Sequence, residues 1–372
     1  MTPFRGRGIP STRAWFAVRG AVAMAFVLAL VPVVADAAAG GADDAPEDRT
    51  VTPKSPPHHT ESGFFNPGYA PPEFSPLTVG LPFMLRRVVG SLVPRAARAP
   101  LRVIWDRGSD TDASRSPATL TWVGHSTLLV SLAGVTFLTD PIWSNTASPF
   151  PFGPRRYVEP PMSLEELPHV DFVVVSHNHY DHMDINSLKA LSRAGSRIFV
   201  PLANAHILKA AGIEAVAELD WWDSATVGNV TVHCVPARHW SRRTVLDRNR
   251  SLWSGWVVSG AGKRFYFAGD TAAFAGFAEI GRRLGPFDMA ALPIGAYSPP
   301  EMMAASHLTP EEAVDAAVAL RTRRSVAVHF GTFDLSDEPL DEPPRRFLAA
   351  SVAAARGSQR DWVLAIGETR SW

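Results

Sequence analysis

The chain has 372 residues, 46% of them hydrophobic, and its 36 Lys+Arg balance 36 Asp+Glu. That length is ample for one large α/β core or two smaller ones, and the neutral balance argues against a nucleic-acid partner, which usually leaves a basic excess. The single cysteine, Cys234, excludes an internal disulfide and removes thiolates from any ligand set.

Residues 1–39 read as a leader outside the fold. Arg5, Arg7, Arg13 and Arg19 precede an apolar run from Gly20 to Val34, and Ala35-Asp36-Ala37 supplies a small-residue cleavage site. This three-part layout predicts a secretory signal peptide and export to the periplasm or beyond. The apolar run is about 15 residues, shorter than the roughly 20 that span a bilayer. Residues 40–79, rich in Pro, Ala, Gly and acidic side chains, read as a disordered linker in which His58 and His59 are solvated. Residues 80–117 form an extension. Its stretch from Leu81 to Val93 interleaves apolar positions with Arg86 and Arg87, a pattern that packs one face on a domain or lies on an anionic membrane surface.

Residues 118–372 hold the periodic part of the chain. Leu120–Val123, Ser126–Val130 and Val135–Thr139 alternate like strands, with Gly124 and Ala133-Gly134 as turns, which predicts an antiparallel meander. His125 lies between two of these strands, placed either to face a site or to pack. Asp140, before Pro141, is positioned to hold the tautomer of a ligating histidine or to form a turn.

The apolar run Asp171–Val175 then leads into Ser176-His177-Asn178-His179-Tyr180-Asp181-His182. Three imidazoles and a carboxylate at the end of a buried strand suit Zn²⁺, Mn²⁺ or Fe²⁺. Four such donors exceed what one tetrahedral ion takes from one loop. The expected arrangement is two ions, with His177 and His179 on one and Asp181 and His182 on the other. This pattern resembles the signature of the metallo-β-lactamase fold superfamily, whose members are mostly binuclear hydrolases.

Strand and helix alternate beyond the loop: a helix from Asp184 to Leu191, a strand at Ile198–Pro201, a helix from Ala203 to Ala211, and a strand at Val230–Val235. This alternation predicts sheets covered by helices. His239 follows the last of these strands. Asp270 ends the strand Arg264–Ala268, as a carboxylate bridging two cations or as the cap of a following helix. After a strand over Met289–Pro293, Thr309-Pro310-Glu311-Glu312 has the form of a capping box, which leaves His307 just outside a helix start and open to a substrate. His329 follows the strand Ser325–Val328.

Longer runs refine the resemblance. Thr121–His125, Phe137–Ile142, Ser176–His182, Glu218–Trp222, Phe267–Thr271, Pro293–Tyr297 and His329–Phe333, with Phe65-Asn66-Pro67 upstream, are together similar to the N-acyl-phosphatidylethanolamine phospholipase D branch. The resemblance covers about residues 115–370 of the sequence. It implies a four-layer αββα sandwich and two zinc ions. His177, His179 and His239 would hold one ion, Asp181, His182 and His329 the other, and Asp270 would bridge them. It also implies catalytic roles for Asp181, Asp270 and His307, with His125 and Asp140 behind the ligands. The implied reaction is hydrolysis of a phospholipid phosphodiester by a hydroxide shared between the ions. The same ligands would serve a lactonase or another carbonyl-directed hydrolase. A non-catalytic binding protein of this fold would be expected to lack ligands, and none is missing.

Overall fold

A computed structural model describes residues 56–70, 75–92, 103–104, 118–150 and 153–372. The proposed leader, and most of the segment between it and the first sheet, lie outside the described residues. Among the described residues, no helix is long and apolar enough to cross a membrane.

Two seven-stranded sheets face each other. The first contains β1 (Ala118–Gly124), β2 (Thr127–Leu132), β3 (Val135–Thr139), β4 (Phe172–Val174), β5 (Arg197–Pro201) and β6 (Val216–Leu219), with β14 (Thr369–Ser371) beside β1. The second contains β7 (Ser224–Val227), β8 (Val230–Val235), β9 (Gly255–Gly260), β10 (Lys263–Phe267), β11 (Phe287–Pro293), β12 (Thr322–Val328) and β13 (Asp361–Trp362). Each sheet begins as an antiparallel meander and ends in parallel strands. The parallel pairs run from β3 to β6 in the first sheet and from β10 to β13 in the second. The meander expected over Ala118–Thr139 is present, with register Leu120↔Val130 and Leu129↔Leu138.

Alternation along the strands sorts side chains into layers, because successive residues point to opposite faces. Phe172 and Val174 enter the core between the sheets, where Phe137 stacks on Phe172 at 4.9 Å and Phe199 meets it edge-on at 5.7 Å. Val173 and Val175 face outward, onto α2 (Ile185–Arg193) and α3 (Ala205–Ala210), through Leu188, Leu191 and Leu208. On the other side, α4 (Gly276–Arg283), α6 (Pro310–Ala319) and α7 (Glu342–Ala353) cover the second sheet with Phe277, Ile280, Ala313, Val314, Ala317 and Phe347. The result is the αββα sandwich. A short helix, α5 (Pro300–Met303), precedes α6. The capping box at Thr309 forms as read from the sequence: its hydroxyl accepts from the Glu312 amide, and Glu312 accepts from the Thr309 amide at 2.8 Å.

The upstream segment differs from the expectation. Residues 56–70 lie against the domain, and the two histidines are not solvated. His58 is 3% exposed and stacks on Trp221 at 4.1 Å, while both rings reach the Asp220 carboxylate. Helix α1 (Leu81–Leu92) follows a π-helical turn at Pro76–Gly80. It buries Met84 and leaves Leu81 and Leu85 exposed, with Arg86 bonded to Asp337.

Candidate metal centre

Parallel neighbours in a sheet end at the same edge, so loops leaving them share one rim. His177–His182 follow β4, Asp270 follows β10 and His329 directly follows β12; His239 leaves the antiparallel β8, and His125 sits in the β1–β2 turn. The ligand candidates are thus drawn from both sheets onto one edge of the sandwich. Two glycines permit the close approach. Gly269 has φ +61°, and a Cβ there would strike Ser176 of the metal loop; at Gly295 it would strike the carbonyl of His329.

The side chains gather in two groups. In one, His177 Nε2 lies 2.8 Å from His179 Nδ1, which is 3.3 Å from His239 Nε2. In the other, Asp181 Oδ2 lies 3.1 Å from His182 Nε2 and 3.6 Å from His329 Nε2. Asp270 Oδ2 stands between them, 3.3 Å from His182 Nε2, 3.1 Å from His329 Nε2 and 3.9 Å from His239 Nε2. All seven residues named from the sequence therefore converge. Asp270 is no helix cap, since α4 starts at Gly276 behind Ala275. His125 joins the second group, with Nε2 3.0 Å from Asp181 Oδ2, and its ring lies 4.4 Å from that of His329.

The groups behind the ligands fix which ring nitrogen faces the centre. Asp140 Oδ2 accepts from His182 Nδ1 at 2.6 Å and from the Ser176 hydroxyl at 2.5 Å, while Oδ1 accepts from the Ser176 amide at 2.6 Å. His239 Nδ1 donates to the Ser306 carbonyl at 2.9 Å. Each of these bonds engages Nδ1 and turns Nε2 inward, the arrangement in which an outer partner sets the orientation of a metal-ligating histidine. The loop itself is clamped by Arg243, whose Nη1 donates to the carbonyls of Asn178 and Met183 at 2.9 Å each. The Arg242 amide donates to Asn178 Oδ1 at 2.8 Å, and Tyr180 Oη donates to the Arg243 carbonyl at 2.8 Å.

Electrostatics divide the cluster. Burial lowers the pKa of His179 and His239 to about 3, although Asp270 pulls both, and Asp181 pulls His179, the other way. Burial and the neighbouring imidazoles hold His177 well below its usual range. These rings are neutral lone-pair donors. His182 and His329 feel the same burial, but Asp270 and Asp181 outweigh it. His182 is held well above the usual range, and His329 is raised to about 9. Asp181 and Asp270, despite burial, stay well below theirs beside His182. Ionised carboxylates among crowded imidazoles mark a place that calls for positive charge. His179 Nε2, His182 Nε2, His329 Nε2 and Asp270 Oδ1 are buried without hydrogen-bond partners, and such groups are costly unless something else satisfies them. Six imidazoles and two carboxylates of this kind fit a pair of divalent cations.

His307 lies beside the ligands rather than among them. Its Nδ1 is 3.8 Å from Asp270 Oδ2 and its ring is 5.2 Å from His239. Burial lowers its pKa to about 3, so the ring is a neutral imidazole. The sequence reading missed three contacts at the rim. Trp240 meets His179 edge-on at 4.3 Å, Tyr69 lies under the Arg238 guanidinium, and Asn66 Nδ2 donates to the His239 carbonyl at 2.8 Å. Only Asn66 carried a signal, within Phe65-Asn66-Pro67.

Two facing mixed sheets with helices outside, and a His- and Asp-lined centre on the shared edge, define a metal-dependent hydrolase of the αββα class. The beta-lactamase superfamily domain model matches residues 136–330. An N-acyl-phosphatidylethanolamine-hydrolyzing phospholipase D of Caenorhabditis elegans is 45% identical over 250 residues, 64% of this chain and 70% of that protein. A mitochondrial protein of the same description from Saccharomyces cerevisiae is 35% identical over 245 residues, 64% of this chain and 52% of that one. Among solved structures, the metallo hydrolase Igni18 from Ignicoccus hospitalis has a TM-score of 0.53 at 24% identity, covering 68% of this chain and 97% of that one. The chain belongs to the metallo-β-lactamase superfamily, in its N-acyl-phosphatidylethanolamine phospholipase D-like branch.

Proposed function

We propose that the chain is a binuclear zinc phosphodiesterase of the phospholipase D type, acting on N-acyl-phosphatidylethanolamine or a related phospholipid. The observation that carries this reading is the position of Asp270 Oδ2, within 4 Å of imidazole nitrogens from both ligand groups. One carboxylate there can serve two ions. Zinc is the ion proposed because imidazole and carboxylate donors around an open position match its catalytic sites. When bound, a pair of such ions lowers the pKa of water towards neutrality and balances charge on a phosphoryl group.

The protein's own residues supply the rest. Asp140 and the Ser306 carbonyl keep His182 and His239 in the ligating tautomer. Arg243 and Asn178 hold the loop in place. Neutral His307 orients the phosphodiester by a hydrogen bond from the edge of the site. The exposed Leu77 in the π-helical turn, with Leu81 and Leu85 at the start of α1, supports peripheral contact with lipid, and the leader composition supports export.

Incubation with N-acyl-phosphatidylethanolamine is expected to release phosphatidic acid and an N-acylethanolamine, and removal of metal by a chelator is expected to abolish that release, with product identity read by mass spectrometry. Turnover of a lactone but of no phosphodiester would replace this reading with the carbonyl-directed one. His307→Ala is expected to lower kcat/KM by about tenfold to a hundredfold, as for a lost hydrogen bond to a charged group. Its zinc content should stay unchanged, and unaltered kinetics would remove His307 from the site.

A further inference from the structure

A second gathering of metal-type donors lies away from this centre, where the upstream segment meets the domain. The chain folds into a tight hairpin. The His59 amide donates to the Pro56 carbonyl at 3.0 Å, His59 bridges Phe64, and the Thr60 amide donates to the Gly63 carbonyl at 2.8 Å. This turn brings the adjacent rings of His58 and His59, 4.6 Å apart and nearly perpendicular, onto one carboxylate. His58 Nε2 lies 2.7 Å from Asp220 Oδ1, and His59 Nε2 lies 2.9 Å from Asp220 Oδ2. The three donor atoms fall within 4.8 Å of one another.

We propose that His58, His59 and Asp220 form a third divalent-cation site, separate from the hydrolytic centre, that fastens residues 56–70 to the domain. Two imidazoles and a carboxylate carry one negative charge, and that donor set suits zinc and its neighbours with water in a fourth position. The carboxylate is already oriented, because Asp220 Oδ1 also accepts from the Trp221 amide at 2.7 Å. Trp221 closes the site behind His58, while the His59 side chain is 25% exposed and leaves a path for entry. Contacts of hydrogen-bond length do not argue against ligation in this chain. The ring nitrogens of His177 and His179, both assigned to the first ion, approach to 2.8 Å in the same way.

The site would act at a distance from its own residues. Beyond the hairpin the segment reaches the hydrolytic centre, where Asn66 holds the carbonyl of His239 and accepts from Trp253 Nε1 at 3.2 Å, and Tyr69 packs on Arg238. A cation at the hairpin would therefore anchor the strap that braces a ligand of the other site.

The test uses the full chain loaded with zinc and then freed of excess metal. Anomalous diffraction at the zinc edge is expected to show a peak between His58, His59 and Asp220, apart from those at the hydrolytic centre. The metal-to-protein ratio should fall by one on His59→Ala, a change at a partly exposed ring, or on Asp220→Asn. Absence of that peak in crystals whose hydrolytic centre is loaded would overturn the proposal and leave a hydrogen-bonded clasp. An unchanged ratio in a folded His59→Ala protein would do the same. Neither readout depends on turnover, so the result stands whatever substrate the enzyme takes.

Discussion

Replacement of Asp270 by alanine is expected to reduce phosphodiester hydrolysis by a hundredfold or more and to lower the zinc content, while the protein stays folded. The residue is 4% exposed and no helix depends on it, so its loss opens little of the core. Its work is electrostatic. Oδ2 lies within 3.3 Å of both His182 and His329 and holds their basicity up. Removing one member of a buried charge constellation costs about 3–5 kcal/mol of folding stability, against a typical domain stability of about 5–15 kcal/mol, and a hundredfold loss of rate corresponds to about 2.7 kcal/mol of lost transition-state stabilisation. Asp270→Asn separates shape from charge. The amide fills the same space but cannot give an anionic oxygen to each group, so it should fail nearly as badly as alanine. An Asp270→Asn variant that kept full turnover and full zinc would remove Asp270 from the bridging position. Steady-state kinetics and elemental analysis on the same preparations decide the matter.

The second large effect is expected at Asp140, which stands behind His182. Its carboxylate is fully buried and accepts from the Ser176 amide, the Ser176 hydroxyl and His182 Nδ1. Alanine would leave these donors unpaired, at about 1–3 kcal/mol for each buried group without a partner, against a typical domain stability of about 5–15 kcal/mol. Metal affinity should fall by about 10- to 100-fold as well, the usual cost of losing the group that orients a ligating imidazole. Asp140→Asn splits the two effects. It keeps an acceptor for the Ser176 amide, and with it much of the stability, but it lacks the anion that holds the Nδ1 proton of His182. The expected pattern is a strongly lowered Tm for alanine with or without zinc, and a smaller shift for asparagine that shows mainly as lost stabilisation by zinc. Equal zinc affinity in the Asp140→Asn and native proteins would contradict this role.

Much of this centre is legible in the sequence because apolar runs end in ligands. Val173–Val175, Val230–Val235, Phe265–Phe267 and Val326–Val328 each read as buried strands, and a histidine or aspartate follows each within a few residues. The capping box at Thr309 is local chemistry and equally readable. Other elements leave weaker traces. Strands β6 and β7 are only four residues long and half-exposed, and β13 and β14 are two and three residues long, so no periodicity announces them. The strap over residues 56–70 escapes a reading by composition for a different reason. Its composition is that of a linker, and its order comes from partners more than 160 positions away, such as Asp220 for His58 and His239 for Asn66. Pattern within a window cannot register a contact of that span. His125 falls between these cases: a residue with φ +51° in a strand turn could face either way, and only the approach of Asp181 shows which.

The centre draws His177–His182 from one sheet of the sandwich and His239, Asp270 and His329 from the other. Its geometry is thus a gauge of alignment between two slabs joined mainly by side-chain packing. Heat that lets the slabs slip by a fraction of an ångström, with every strand still paired, already spoils the register of the donors. Inactivation should therefore run ahead of melting in this enzyme, and packing at the seam, by residues such as Phe137, Phe172 and Phe265, sets the temperature at which it stops working.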